Sequence, residues 1–267
     1  MGMQIDRAIH ARIVSGCGPA AGTGMLDSIA METAADLYAL RQRIAELAGA
    51  LRDLAEPGGA GASVRLPGDA LVQLFDLLAK PQSAERGGFE EDQLGMLGEF
   101  GLQRLQELAQ AAAALDQPAT ATELSLMALP FALWIARQGG ELRHLAPVVD
   151  ALAAEANRRP RGEAMKSLYG ACCELVEAAS PRVQSAEAAG ANPWRLLLLN
   201  RAIVATRSES PELMEAAFDA VVEQLPLDAQ RFFAEGMEQM AIIDYPDHVR
   251  DVMHRYFLAH SSTRRLH

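Results

Sequence analysis

The chain has 267 residues, half of them apolar but only 5% aromatic, and a formal net charge of −11 from 35 acidic against 24 basic side chains. A surface this acidic repels phosphate backbones, which excludes general nucleic-acid binding. The apolar content is mostly Ala and Leu, with Val and Ile sparse, so the composition predicts an all-α fold. The length is enough for one large or two modest domains with a buried core and no covalent staples.

Residues 1–24 read as a flexible glycine-rich leader. Gly16, Gly18 and Ala21 match G-x-G-x-x-A after the apolar pair Ile13 and Val14. A dinucleotide site needs a strand before the turn, a helix after it, and a second strand ending in an acidic residue. No second strand follows, and no cofactor is expected. The start lacks the long apolar run and early basic cluster of a secretory signal. Three cysteines (Cys17, Cys172 and Cys173) are an odd count that suits a reducing compartment, so a cytoplasmic location is expected.

The most regular segment is 25–56. Leu37, Leu40, Ile44, Leu47, Leu51 and Leu54 alternate three- and four-residue steps, an a/d seam of almost three heptads. Such a seam pairs with its copy in a second subunit or lies against another helix of the same chain. The first alternative makes these six residues the candidate self-association face of a homodimer. "EPGGAGASVRLPGD", Glu56 to Asp69, has linker composition. The rest of 57–118 holds a short helix and then a longer one carrying Leu94, Leu97, Leu102, Leu105 and Leu108, interrupted by glycines.

From residue 119 to 260, helix-length segments follow one another with short breaks. They read as a C-terminal domain of antiparallel helical hairpins, an α-solenoid or tetratricopeptide-like array. The stretch from Asn192 to Pro226 has the length and leading Trp194 of a tetratricopeptide hairpin. The expected Gly, Tyr and Ala positions hold Leu198, Arg201 and Ser210, so it resembles that unit in helix length and not in motif. Leu124 to Ala136 is charge-free but too short to cross a bilayer, and reads as a buried helix; no membrane contact is expected. Residues 261–267 read as a disordered tail.

Few motifs carry chemistry. Cys172 and Cys173 are adjacent, without the two-residue spacer of metal clamps or redox motifs, and read as buried small side chains. The basic run Asn157 to Lys166 reads as a loop. Two acid-x-x-His units, Glu141/His144 and Asp251/His254, each place two ligands on one helix face if helical. Together with Glu123, Glu174 or Glu177 they would make a di-iron-like bundle oxidase. The closing stretch from Asp244 to His260 divides on a helical period into an apolar stripe (Val249, Val252, Met253, Tyr256 and Phe257) and a charged face carrying Asp247, Asp251 and His254. Asp247 is expected as its N-cap and Ser210 as that of an earlier helix.

No catalytic constellation exceeds what chance supplies. The sequence is therefore read as a non-enzymatic interaction or adaptor module, whose acidic helical array receives a protein partner through a basic segment. The metal-dependent oxidase built on Glu141, His144, Asp251 and His254 is the alternative.

Overall fold

A computed structural model of the chain describes residues 33–55, 59–80, 89–185 and 192–261. The glycine-rich leader with its G-x-G match, and the C-terminal tail, lie outside the described residues. Secondary structure among the described residues is helical throughout, apart from a single isolated bridge between Leu142 and Ala179. The helices fall into two compact units. One takes the described residues from 33 to 152 with 177–185; the other takes 153–176 and 192–261. The division lies within the segment read as one C-terminal domain, 119–260.

The first unit begins with α1, Ala34–Leu54. Thr33 opens it with a capping box: its hydroxyl accepts from the Asp36 amide at 3.3 Å, and its own amide donates to the Asp36 carboxylate at 2.8 Å. The heptad seam is real and is filled from within the chain. Leu37, Leu40, Ile44, Leu47 and Leu51 are buried, while Leu54 stays 57% exposed. Their cover includes α2, Gly59–Leu78, with which α1 makes its main packing contact.

This second helix corrects the linker reading of Glu56 to Asp69. From Gly59 onward that segment is helix, because Val64, Leu71, Phe75 and Leu78 recur at helical spacing and are buried. Pro67 removes one backbone hydrogen bond from the helix interior, but sits buried on the face carrying Val64 and Leu71. Next to it, a Cβ on Gly68 would lie 2.9 Å from the Ala48 Cβ, so only glycine lets α1 and α2 approach this closely. Arg41 to Asp76 (2.7 Å) and Arg52 to Asp69 (3.1 Å) fix the pair antiparallel.

α3, Glu91–Ala114, uses its glycines in the same way. Gly98 faces Ile135, and a Cβ on Gly101 would come within 2.5 Å of the Phe131 ring and 2.7 Å of Leu74. The helix that fits there is α5, Ala128–Arg137, which follows α4, Pro118–Leu126. Together Pro118–Arg137 is long and apolar enough to cross a membrane by length and composition, and most of it is buried inside this unit, including every residue from Ala128 to Ile135. The length overturns the expectation that this segment is too short to cross a bilayer, while its burial agrees with the buried-helix reading. Arg43 ties α1 to α4 through a two-point contact with Glu123, at 2.6 and 2.9 Å.

Gly139 (φ +82°) and Gly140 end α5, and the chain runs extended from Glu141 until α6, Ala146–Arg158, begins. Leu142 exchanges backbone hydrogen bonds with Ala178 and Ser180, at 2.7 and 3.0 Å.

The second unit holds most of α7, Glu163–Ala178, and then α9, Pro193–Arg207, α10, Pro211–Gln224, α11, Pro226–Ile242, and α12, Asp247–Ser261; the short α8, Pro181–Gln184, belongs to the first. Proline opens α4, α8, α9, α10 and α11, where its missing N–H costs nothing. α9 is buried nearly all round and packs mainly against α10. Arg195 joins it to α11 through both oxygens of Asp228, at 2.7 Å each. Phe218, Phe232, Phe233 and Tyr256 stack edge-to-face and tilted where α10, α11 and α12 meet.

Of the two capping expectations, that for Ser210 holds in position only, and that for Asp247 fails. Ser210 occupies the N-cap position of α10, but its hydroxyl donates to Glu212 at 2.7 Å instead of capping a backbone amide. Asp247 is the first residue of α12, and the Pro246 carbonyl accepts the first helical bonds, from Val249 and Arg250. The Asp247 carboxylate still complements the helix dipole from the first turn.

Candidate partner-docking surface

The four proposed metal ligands divide between the units. Glu141 and His144 are in the first unit, on the extended segment after Gly140, so they do not share a helix face as the i, i+3 argument requires. Glu141 lies 3.7 Å from Arg143, which also pairs with Asp92. His144 is half-buried, with Nε2 at 3.0 Å from Gln106 Oε1; burial lowers its pKa and the nearby Glu99 opposes that shift. Asp251 and His254 are in the second unit, on the exposed side of α12. Among the described residues, no three His, Cys, Asp or Glu side chains come together as a metal-holding group.

The other features that carry charge or sulfur already have structural roles. The Cys172 thiol is fully buried, and burial, then the neighbouring Cys173, pushes its pKa up, so little of it is thiolate. Burial and Cys173 also raise Tyr169, to about 12. In the basic run 157–166, Arg159 pairs with Glu155 at 2.8 Å and Lys166 with Glu163 at 2.7 Å. Arg161 donates to the Asp244 carbonyl at 2.8 Å and lies over the Tyr245 ring. The loop expectation holds only for 159–162: Asn157 and Arg158 end α6, and Lys166 pairs within α7.

What remains is a groove between α11 and α12. It is open, has a volume of about 340 Å³, and is lined by Met237, Met240, Ala241, Arg250, Asp251 and His254. Its floor belongs to α11. Phe232, Phe233 and Met240 are buried, while Met237 turns partly outward. A Cβ on Gly236 would sit 2.6 Å from the sulfur at the flexible end of the Met253 side chain, so α12 packs over this position. Ile242, one residue beyond Ala241, is 78% exposed, and Leu258, one turn after His254, is 52% exposed.

The electrostatics of this face are one-sided. Residues 211–261 carry ten acidic side chains and three arginines, and all three arginines are spent within the unit. Arg231 pairs with Glu235 at 2.7 Å, Arg250 with Asp244 at 2.9 Å, and Arg255 with Glu215 on α10. Arg255 thus reaches another helix and does not pair with Asp251, four residues before it on α12. Arg250 is also held by the Tyr245 carbonyl at 2.8 Å, which pins the groove wall. Asp251, exposed on the groove wall, has no ion-pair partner among the described residues; Glu238, exposed on α11 outside the lining, has none either.

Sequence reasoning singled out Asp251 and His254, as metal ligands, and did not foresee the groove they help to line. No protein-family model, curated protein or solved structure matches this chain.

Proposed function

We propose that this chain is a non-enzymatic protein-interaction module, whose helical hairpins act in an α-solenoid or tetratricopeptide-like manner to present the α11–α12 groove to a basic amphipathic helix of a partner protein. One observation carries the reading: methionine side chains line an open groove whose wall carries Asp251, an acidic group without an ion-pair partner among the described residues. Methionine adapts to irregular apolar surfaces, and an amphipathic helix inserts its i, i+4 anchors into such grooves. Unpaired carboxylates favour a cationic partner and speed its encounter. A reducing, cytoplasmic setting goes with this proposal, because Cys172 and Cys173 are both free thiols. Self-association through Leu37, Leu40, Ile44, Leu47 and Leu51 does not, because these side chains are already covered within the chain.

The test is fluorescence anisotropy with a labelled Leu/Lys amphipathic helix of about 18 residues, five turns long. The full chain should bind it saturably, with affinity falling as salt rises, and a Glu-for-Lys analogue should bind at least about tenfold more weakly, roughly 1.4 kcal/mol. Glu238→Lys with Asp251→Lys, both on exposed positions, should weaken the basic peptide by a similar factor. Equal binding of the acidic and basic peptides would contradict the proposal, as would no binding at all.

A further inference from the structure

We infer that the anchor selected by the α11–α12 groove is an aromatic side chain, with a cationic residue about one turn from it on the partner helix. This rests on the groove being the docking site proposed above, and adds what distinguishes its partner from other basic amphipathic helices. Size comes first. The groove, at about 340 Å³, is at the bottom of the range of roughly 300–1,000 Å³ that encloses drug-sized ligands, so it suits one large side chain of a docked helix. Among the described residues its apolar lining is Met237, Met240 and Ala241. Thioether sulfur makes favourable contacts with aromatic rings, often at the ring edge, that an aliphatic anchor does not receive.

Arg250 supplies the second contact. Its Nε donates to the Tyr245 carbonyl at 2.8 Å and its Nη2 to the Asp244 carboxylate at 2.9 Å. The hydrogen bonds of a guanidinium lie in its plane, so these two leave its faces open to a ring. The side chain is 42% exposed and already held in place, so a stacked ring orders little that was free. An aliphatic anchor would cover the same charge and gain no attraction from it. Asp251 follows Arg250 on α12, lines the same groove, and has no ion-pair partner among the described residues, so it receives the partner's cation. Arg250 repels that cation from the anchor position itself. The cation is therefore set apart from the anchor, as i, i+4 spacing on a helix provides.

Fluorescence anisotropy of the full chain with two forms of the Leu/Lys probe tests this. In one, a central leucine is replaced by phenylalanine; in the other, by cyclohexylalanine, which has a similar outline and more apolar surface but no π face. Burial of apolar area alone makes the cyclohexyl probe the tighter binder. The chain should instead bind the phenyl probe about fivefold more tightly, the size expected of a cation–π contact with a sulfur contact beside it. Equal affinities, or a tighter cyclohexyl probe, overturn the inference and leave the docking reading standing. If neither form binds and the parent Leu/Lys probe does not bind either, both fall. On Arg250→Lys with Met237→Leu, which removes the planar cation and the exposed sulfur, the preference should fall to about one. A preference that survives both substitutions comes from another contact and contradicts the inference. Met237→Leu alone keeps the Arg250 hydrogen bonds and so serves if the double variant does not fold. It should lower the preference about twofold, and an unchanged preference contradicts the inference equally.

Discussion

At the scale of single residues, the glycines of α3 illustrate what sequence does and does not give. They look like interruptions of a leucine pattern, and a propensity argument counts each as a weakness. In the structure they are the points where helices touch. Gly101→Ala forces a methyl into the Phe131 ring and Leu74, and should destabilise the first unit by about 1–3 kcal/mol. Gly49→Ala on α1 meets nothing within 4 Å and should stabilise by about 0.5–1 kcal/mol, the ordinary helix-propensity gain. Urea midpoints distinguish the two, and equal effects would show that the α3–α5 contact is not as close as described. No single-sequence rule separates these glycines, because the difference lies in what packs opposite.

His144 is a second residue-scale case. The sequence offers it as a ligand at i+3 from Glu141; the structure places it on an extended segment, half-buried beside Gln106. Burial lowers its folded pKa below 6.5, so the unfolded chain binds the proton more readily. The stabilisation is therefore present above about pH 6.5 and is lost as pH falls through that value towards the folded pKa. Asp76, whose carboxylate Arg41 holds below the usual range, titrates lower and does not enter this window. His144→Gln should flatten the loss of first-unit stability between pH 7.5 and 5.5; an unchanged slope would assign it to other groups.

At the scale of elements, α1 was the most legible part of the chain. Its heptad spacing, its end at Leu54 and its amphipathic face all follow from the sequence. What spacing cannot say is whose side chains fill the seam. Both alternatives bury the same leucines, and the decision comes from α2, which linker composition concealed. Glycine and proline usually mark loops, but here Pro67 and Gly68 lie on the buried face of a helix. Leu40→Ala should therefore cost about 2–5 kcal/mol as an internal cavity, and leave the mass by light scattering unchanged. Leu54→Ala should cost far less. Each unit holds one tryptophan, Trp134 in the first and Trp194 in the second, both buried. In a Trp194→Phe background, Trp134 fluorescence should report the Leu40→Ala loss. A halved mass in place of lowered stability would restore the dimer reading.

At the scale of the whole molecule, composition gave the all-helical character, and the acidic balance foretold a one-sided surface. The division into units was not legible, because it falls within α6 and near the end of α7, where no breaker marks it. The groove was half legible. A 3.6-residue period correctly separated Val249, Val252 and Met253 from Asp251 and His254 on α12, and the structure buries the first set and exposes the second. The period could not show that Arg255 reaches Glu215 and leaves Asp251 unpaired, because ion-pair choice depends on the neighbouring helix. That unpaired charge beside Met237 and Met240 is the basis of the functional account.

Hydrogen exchange of the full chain, with and without a saturating basic amphipathic helix, tests the account most directly. The prediction is slowed exchange confined to residues 237–254, with the α1 seam from Leu37 to Leu51 unchanged. Protection on α1 with none on α11 and α12, or no protection anywhere at saturation, would contradict it.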